Sequence, residues 1–574
     1  MQVPGIPLDV KMELSDRTHT DLLGIQPSVI PPPFYRANQL EQAGKPEEAA
    51  KIYEEMLNDD FDNGVVIAAL GMNCASTGKH GIASVLLARA IELLPSFEEN
   101  LKKVGIIAKS DSPQANRDFL LIKKSEMMNA LGTCYKHENR CDRARYWFEK
   151  AQSVLPSPNP DIQNNLATLH INEGSPEKAM KHLDLALSIT PDHPQAHWNR
   201  SLAKLETGDY EGGFAEYHWG KRAEVRLNRN YSTVEVPEWD GSPGKTVVVY
   251  GEQGIGDEIM FASLLPEMIR DCKQVIYDCH KKLHRLMCSS FPMIDIYPTR
   301  EDENITWPVK MVDGHPVNVY PVDARIALGD VPKFYRRKIE DFPGFPYIKP
   351  TTQAQTRWAR NLNEMFPDGK PVVAINWIGG HKKTRVEVRS MTLEQWLPIL
   401  SLDAHFVSLQ YTDCEAELNG FCKKHGITIN HLGLAAQSEH YDEVGGVLAN
   451  VDMVVTCCSS IVHLAGSMGV PCWVLTPSRP AWRYRLDLDY MPWYGDTVRL
   501  FRQAAGTVDW EPVIGEVAMR LKERINVQGN TGAADLSHAG HDTESTGNAG
   551  AGAATLADSG TAGHQPANGQ ADQE

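Results

Sequence analysis

The sequence predicts a helical-repeat superhelix followed by two Rossmann-like domains, an α region joined to an α/β region. Three observations predict it. Small residues recur with a period of 34 between residues 34 and 224, β-branched runs alternate with helical patterns from Lys245, and Lys, Arg and aromatic residues vanish after Val527.

The first region holds five segments that each read as helix, turn, helix, from "ANQLEQAGKPEEAAKIYEEML" to "NRSLAKLETGDYEGGFAEYHWGKR". Gly44 and Gly78 lie 34 residues apart, as do Gly174 and Gly208, and Ala49 and Ala83; Ala144 and Ala179 differ by 35. That period is the one of tetratricopeptide repeats (TPR). A small residue in the second helix lets it approach the first, and a proline after the pair ends it. The insertion "SFEENLKKVGIIAKSDSPQANRDFLLIKK" interrupts the period between the second and third units.

In the second region "TVVVY", "QVIYD", "PVVAINW", "HFVSLQ", "DMVVT" and "PCWVLT" read as strands spaced by helices, hence parallel sheets built from βα units. Its length suits two doubly wound domains that divide within "FPYIKPTTQAQ". The helix at "MTLEQW" opens on a capping box, Thr392 with Gln395. The expected organisation is an N-terminal extension (1–33), TPR repeats (34–224), an N-terminal Rossmann-like domain (225–350), a C-terminal one (351–526) and a disordered tail (527–574), whose composition offers too little apolar surface to offset ordering entropy.

Bulk properties narrow the function. A chain of 574 residues exceeds one hydrophobic core, and a net charge of -17 argues against a general nucleic-acid surface, which needs clustered Lys and Arg. Eleven cysteines without paired spacing read as reduced thiols and suggest no metal cluster. Without a signal-like N-terminus or a span of about 20 apolar residues, the protein is expected to be cytoplasmic, with no transmembrane segment.

Candidate site residues stand where strands run out into helices. In "GEQGIGDEIMF" the glycines, Gly254 and Gly256 among them, permit φ > 0 and close backbone approach; the loop reads as a pure turn or as a site. Asp257 there also suits a helix N-cap. "TCCSSIVHLAGSMG" puts Ser459 or Ser460 at a helix N-cap and His463 in the first helical turns; backbone N–H groups there suit a diphosphate. His463 either contacts that ligand or is a satisfied structural histidine. "NWIGGHKKTRVEVRS" joins Gly379 and Gly380 to Lys382, Lys383, Arg385 and Arg389, cations that either meet a diphosphate or stand solvated. Gln410 ends a strand and could read a base or ribose. Asp442 could be an N-cap only. "GKT" at Gly244–Thr246 precedes its strand and lacks the earlier glycine of a P-loop, and the aspartate pairs at Asp60–Asp62 and Asp487–Asp489 lie in turns and loops.

Together, "PEWDGSPGKTVVVYGEQGIGDEIMFASLLPEM", "AINWIGGHKKTRVEVRSMTLEQWLPIL", "HFVSLQY" and "SIVHLAGSMGVPCWVLTPSRPAWRYRLDLDYMPWYGDTVRLFRQ" resemble bacterial TPR-containing glycosyltransferases related to the heptosyltransferase family. The resemblance implies a GT-B architecture, two Rossmann-like domains facing across a cleft, with a nucleotide sugar held mainly by the C-terminal one. It implies metal-independent, inverting transfer to an acceptor hydroxyl, no resident cofactor, Asp257 as the base, Arg389 as the best-matching diphosphate ligand, and Trp482 and Arg483 near the cleft. The repeats offer a protein or peptide partner a concave surface. The chain departs from the family at Cys458, where an aspartate is common. That leaves an alternative, a non-catalytic TPR interaction protein with a degenerate glycosyltransferase-like domain.

Overall fold

A computed structural model of the protein describes residues 32–94, 113–229, 231, 236–302, 305, 309–312, 315–318, 322–380 and 386–538. The described residues up to Ile525 form one compact unit.

Among the described residues the repeats form five helix pairs: Pro32–Gln42 with Pro46–Asp59, Gly64–Ser76 with His80–Glu92, Pro113–His137 with Cys141–Ser153, Pro160–Asn172 with Pro176–Ile189, and Pro194–Thr207 with Tyr210–Glu216. Each turn needs one residue in the left-handed region. Gly44, Gly78, Gly174 and Gly208 supply it, and Asn139 takes that place in the third pair with φ 60°. Ala49, Ala83, Ala144 and Ala179 are fully buried where paired helices cross. In the fifth pair Gly213 serves instead, since a Cβ there would stand 2.6 Å from the Leu205 side chain. The third pair owes its long first helix to the end of the insertion; residues 95–112 lie outside the described residues.

The α/β region contains thirteen described strands: β1 Thr246–Tyr250, β2 Gln274–Asp278, β3 Asp295–Tyr297, β4 Val309–Val312, β5 His315–Asn318, β6 Ala324–Ala327, β7 Val372–Asn376, β8 His405–Ser408, β9 Ile429–His431, β10 Met453–Cys457, β11 Cys472–Thr476, β12 Tyr490–Met491 and β13 Gly495–Arg502. The first sheet is parallel, in order β3-β2-β1-β6. The second runs β12-β13-β11-β10-β7-β8-β9, parallel except for its β12 edge. β4 and β5 form a separate hairpin. Central strands β1 and β10 are buried throughout, as strands covered by helices on both faces must be. The capping box of Leu393–Leu400 is present, Thr392 and Gln395 each bonded to the other's backbone N–H.

One core crosses the expected domain boundaries. Tyr210, Phe214 and Tyr217 from the last repeat pack with Phe261 of the first α/β domain and with Trp482 and Trp493 of the second. The C-terminal helix, Glu511–His538, buries Val513, Ile514, Val517 and Leu521 in the core of the second sheet. It continues beyond Val527, where the disordered tail was expected to begin. Extending an existing helix fixes few residues per hydrogen bond, and Ala533, Ala534 and Leu536 favour it despite intervening glycines. Residues 539–574 lie outside the described residues.

Candidate functional site

The C-terminal ends of parallel strands are where backbone N–H groups and loops are left for a ligand. Here those ends meet across a cleft of about 630 Å³. After β1 come Gly254, Gly256 and Asp257; after β2, Lys282; at the end of β7, Asn376; after β8, Tyr411; after β10, Ser459, Ser460 and His463; after β11, Arg483 and Tyr484.

The loop after β1 is anchored at nearly every polar side chain. Glu252 accepts from Arg226 Nη2 at 2.6 Å, and Gln253 donates to the Tyr217 hydroxyl at 2.8 Å, both partners lying just beyond the last repeat helices. Glu258 accepts from Tyr277 Oη, the His280 amide and Arg300 at 2.9, 2.9 and 2.5 Å. Burial raises its carboxyl above the ordinary range, opposed by Arg300. Asp257 forms an ion pair with Arg483 from the other domain.

Two sequence expectations are corrected here. Gly251, Gly254 and Gly256 are absent from the left-handed region; close approach, not positive φ, is the use of Gly251, against Glu258, and of Gly256, while a Cβ on Gly254 would meet only Asp257 Oδ2 at 3.4 Å. The N-cap of Ile255–Phe261 is Gly254; Asp257 sits inside the first turn, where the helix dipole favours its charge.

The facing helix, Ser460–Met468, has Ser459 as its N-cap. Ser460 Oγ is 2.7 Å from Tyr441 Oη, and His463 Nδ1 is 2.9 Å from Tyr494 Oη. Burial, reinforced by Arg483, holds the His463 imidazole well below its ordinary pKa, so it is neutral. A Cβ on Gly256 would lie 2.8 Å from the His463 ring and 3.2 Å from Ser460 Cα. Gly256→Ala must therefore part the two helices. We expect a loss of about 1–3 kcal/mol, read as a lowered midpoint in denaturant titration; an unchanged midpoint would show that the helices can separate freely.

The remaining candidates divide. Arg389, on Val386–Arg389, lines the cleft beside Gly380; Lys382 lies outside the described residues. Gly379 lets two loops touch, since its Cβ would be 2.5 Å from the Cys458 carbonyl oxygen. Gln410 is corrected: it is fully buried, its Oε1 accepting from Asn376 and the Ile378 amide and its Nε2 donating to Thr412, so it ties strand ends together. Asp442 is likewise buried and accepts from the Thr351 amide and hydroxyl, fixing the start of Thr352–Met365. Burial pushes the Cys458 thiol up to about 11, so it carries no charge.

Lys282, Asn376, Tyr411, Ser438, Tyr441 and Tyr484 also line the cleft and were not singled out from the sequence. The end-of-strand rule reaches Asn376, Tyr411 and Lys282 once strand ends are known. Among the described residues, no group of three or more His, Cys, Asp or Glu is placed to hold a metal ion, and no helix is long and apolar enough to cross a membrane.

The helix pair Pro160–Asn172 and Pro176–Ile189 coincides with a match to a known family over residues 160–193. It is a tetratricopeptide repeat. The protein is similar to protein FlbA of Caulobacter vibrioides, 25% identical over 544 residues that cover 85% of this chain and 89% of that one. Among solved structures, a glycosyl transferase family 9 protein from Veillonella parvula matches at a TM-score of 0.35 and 13% identity, covering 51% of this chain and 100% of its own. A mutant O-GlcNAc transferase from Thermobaculum terrenum matches at 0.27 and 13%, covering 86% of this chain and 91% of its own.

Proposed function

We propose that the protein is a metal-independent, inverting glycosyltransferase that moves a sugar from a nucleoside-diphosphate sugar to an acceptor hydroxyl, with the TPR units recruiting a protein acceptor. The observation that carries this reading is the charge layout of the cleft. One carboxylate, Asp257, faces a wall bearing Arg389 and Arg483, with Lys282 beside it, in a protein of net charge -17.

The chemistry needs that layout. As the acceptor oxygen bonds to the anomeric carbon, its proton passes to Asp257 and the bond to the diphosphate breaks. The ion pair to Arg483 holds the carboxylate in one orientation. Charge then accumulates on the departing diphosphate, which fixed guanidinium groups stabilise without reorganising. Neutral His463 and the start of Ser460–Met468 supply donors without a competing charge. The resemblance to TPR-containing glycosyltransferases supports the same assignment, and the donor acts as co-substrate with no resident cofactor.

Calorimetry with UDP, GDP and ADP, in the presence of EDTA, tests it. One of them is expected to bind, and Arg389→Ala to weaken that binding about ten- to a hundredfold, the worth of a charged hydrogen bond. No binding of any nucleotide at millimolar concentration would favour a purely interacting role for the repeats.

A further inference from the structure

The segment between β11 and β12 is one of the places where the TPR units meet the walls of the cleft. Arg479 donates to the Asn172 carbonyl at the turn of the fourth helix pair. Arg485 reaches the turn of the fifth, donating to the Tyr210 hydroxyl at 3.0 Å and the Thr207 carbonyl at 3.3 Å, with its guanidinium 5.5 Å from the centre of the Tyr210 ring. Asp487 accepts from its Nε and Nη2 at 3.0 and 2.8 Å. From the other side Arg502 of β13 donates to the carbonyls of Tyr484 and Leu488 at 3.1 and 3.0 Å.

The backbone at Arg485 is unusual. Its φ of 56° and ψ of 176° fall in a region that residues with a Cβ avoid, and such a conformation persists only where the surroundings over-determine it. Those surroundings are the four hydrogen bonds above and the absence of a side chain at Gly208, whose Cβ would collide with the guanidinium. Arg485 directly follows the Trp482–Tyr484 turn, so its conformation fixes where that turn projects. Trp482 enters the aromatic core against Phe214 and Phe261, and Arg483 meets Asp257.

We propose that Arg485 is a positioning residue: by gripping the turn of the last repeat, it holds the Trp482–Tyr484 turn so that Arg483 stands against Asp257. Its consequence for catalysis rests on the glycosyltransferase reading. The positioning itself does not.

Hydrogen exchange on the full chain separates the two. Arg485→Gly removes the guanidinium and also the conflict of a Cβ with positive φ, while Tyr210→Phe removes only one acceptor. In Arg485→Gly, amides of 479–489 and of 255–261 are expected to exchange about tenfold faster than in the wild type, with the first four helix pairs unchanged and Tyr210→Phe intermediate. Transfer should show a lowered kcat with donor KM unaltered. Unaltered exchange in 255–261 overturns the proposal, whether or not the protein transfers sugar; if Arg485→Gly does not fold, wild-type exchange in Tyr210→Phe overturns it. Coupled exchange in a protein that transfers no sugar upholds the positioning and counts against the enzyme reading alone.

Discussion

On the proposed glycosyltransferase reading, Asp257→Asn is expected to lower sugar transfer by about 10²–10⁴-fold and to leave nucleoside diphosphate affinity unchanged. That range is what a positioned general base contributes, and the amide keeps shape and hydrogen-bonding capacity while losing the ability to take a proton. The substitution is mild for the fold, because an amide oxygen still accepts from Arg483 and the first-turn position tolerates Asn. Asp257→Ala is a harsher comparison, since it strands Arg483, whose side chain is only 14% exposed. Initial rates of transfer, or of donor hydrolysis where the acceptor is unknown, check the expectation. Equal rates in the Asp257→Asn variant and the wild type would remove Asp257 from the chemistry and return it to a purely structural role.

The second large effect falls on stability. Asp330 accepts from Arg226 at 2.6 Å and pairs with Lys221 at 2.8 Å; Arg226 and Asp330 side chains are each 1% exposed. Asp330→Ala takes one of two carboxylates from buried Arg226 and the buried partner from Lys221, leaving excess positive charge in the interior, so it should cost about 3–5 kcal/mol in denaturant unfolding. Burial alone would raise the Asp330 carboxyl, but Arg226 and Lys221 outweigh it and hold it at about 2, below the ordinary 3.8.

The sign of the pH dependence follows. Between those two values the unfolded chain binds a proton that the folded protein refuses, so stability rises with pH there. The contribution is fully present above about pH 4 and lost as pH falls toward 2. The Asp330→Ala variant should lack that part of the acid limb; an identical acid limb in variant and wild type would show that the pair does not carry it. Since Arg226 also holds Glu252, the loss should reach the loop that carries Asp257, seen as faster amide exchange there.

Local signals made the fold legible. The 34-residue spacing marks the repeat turns because only residues tolerant of positive φ can occupy them, and Asn139 escaped notice because it is not glycine. All six strand segments read from the sequence are strands, because continuous β-branched runs report burial on both faces. The short strands β3, β6, β9 and β12 and the long β13 were not singled out, nor was the β4–β5 hairpin; a few residues of mixed polarity carry little periodicity.

The site was legible as a set of strand ends and not as a set of contacts. Glycine, aspartate and arginine at loop positions announce that a backbone turns and that charge is available. They do not say which charges meet. Asp257 and Arg483 are 226 positions apart, Arg485 and Tyr210 275, and Gln410 is buried among strand ends while its neighbour Tyr411 lines the cleft. The sequence by itself determined the repeat helices, the parallel strands and the glycine-rich turn before Asp257, since hydrophobic period and turn chemistry act over a few residues. Only the tertiary structure decided that Gly256 exists to admit His463, that Gln410 is buried, and that the last TPR unit grips the loop carrying Arg483, because each depends on how distant segments pack.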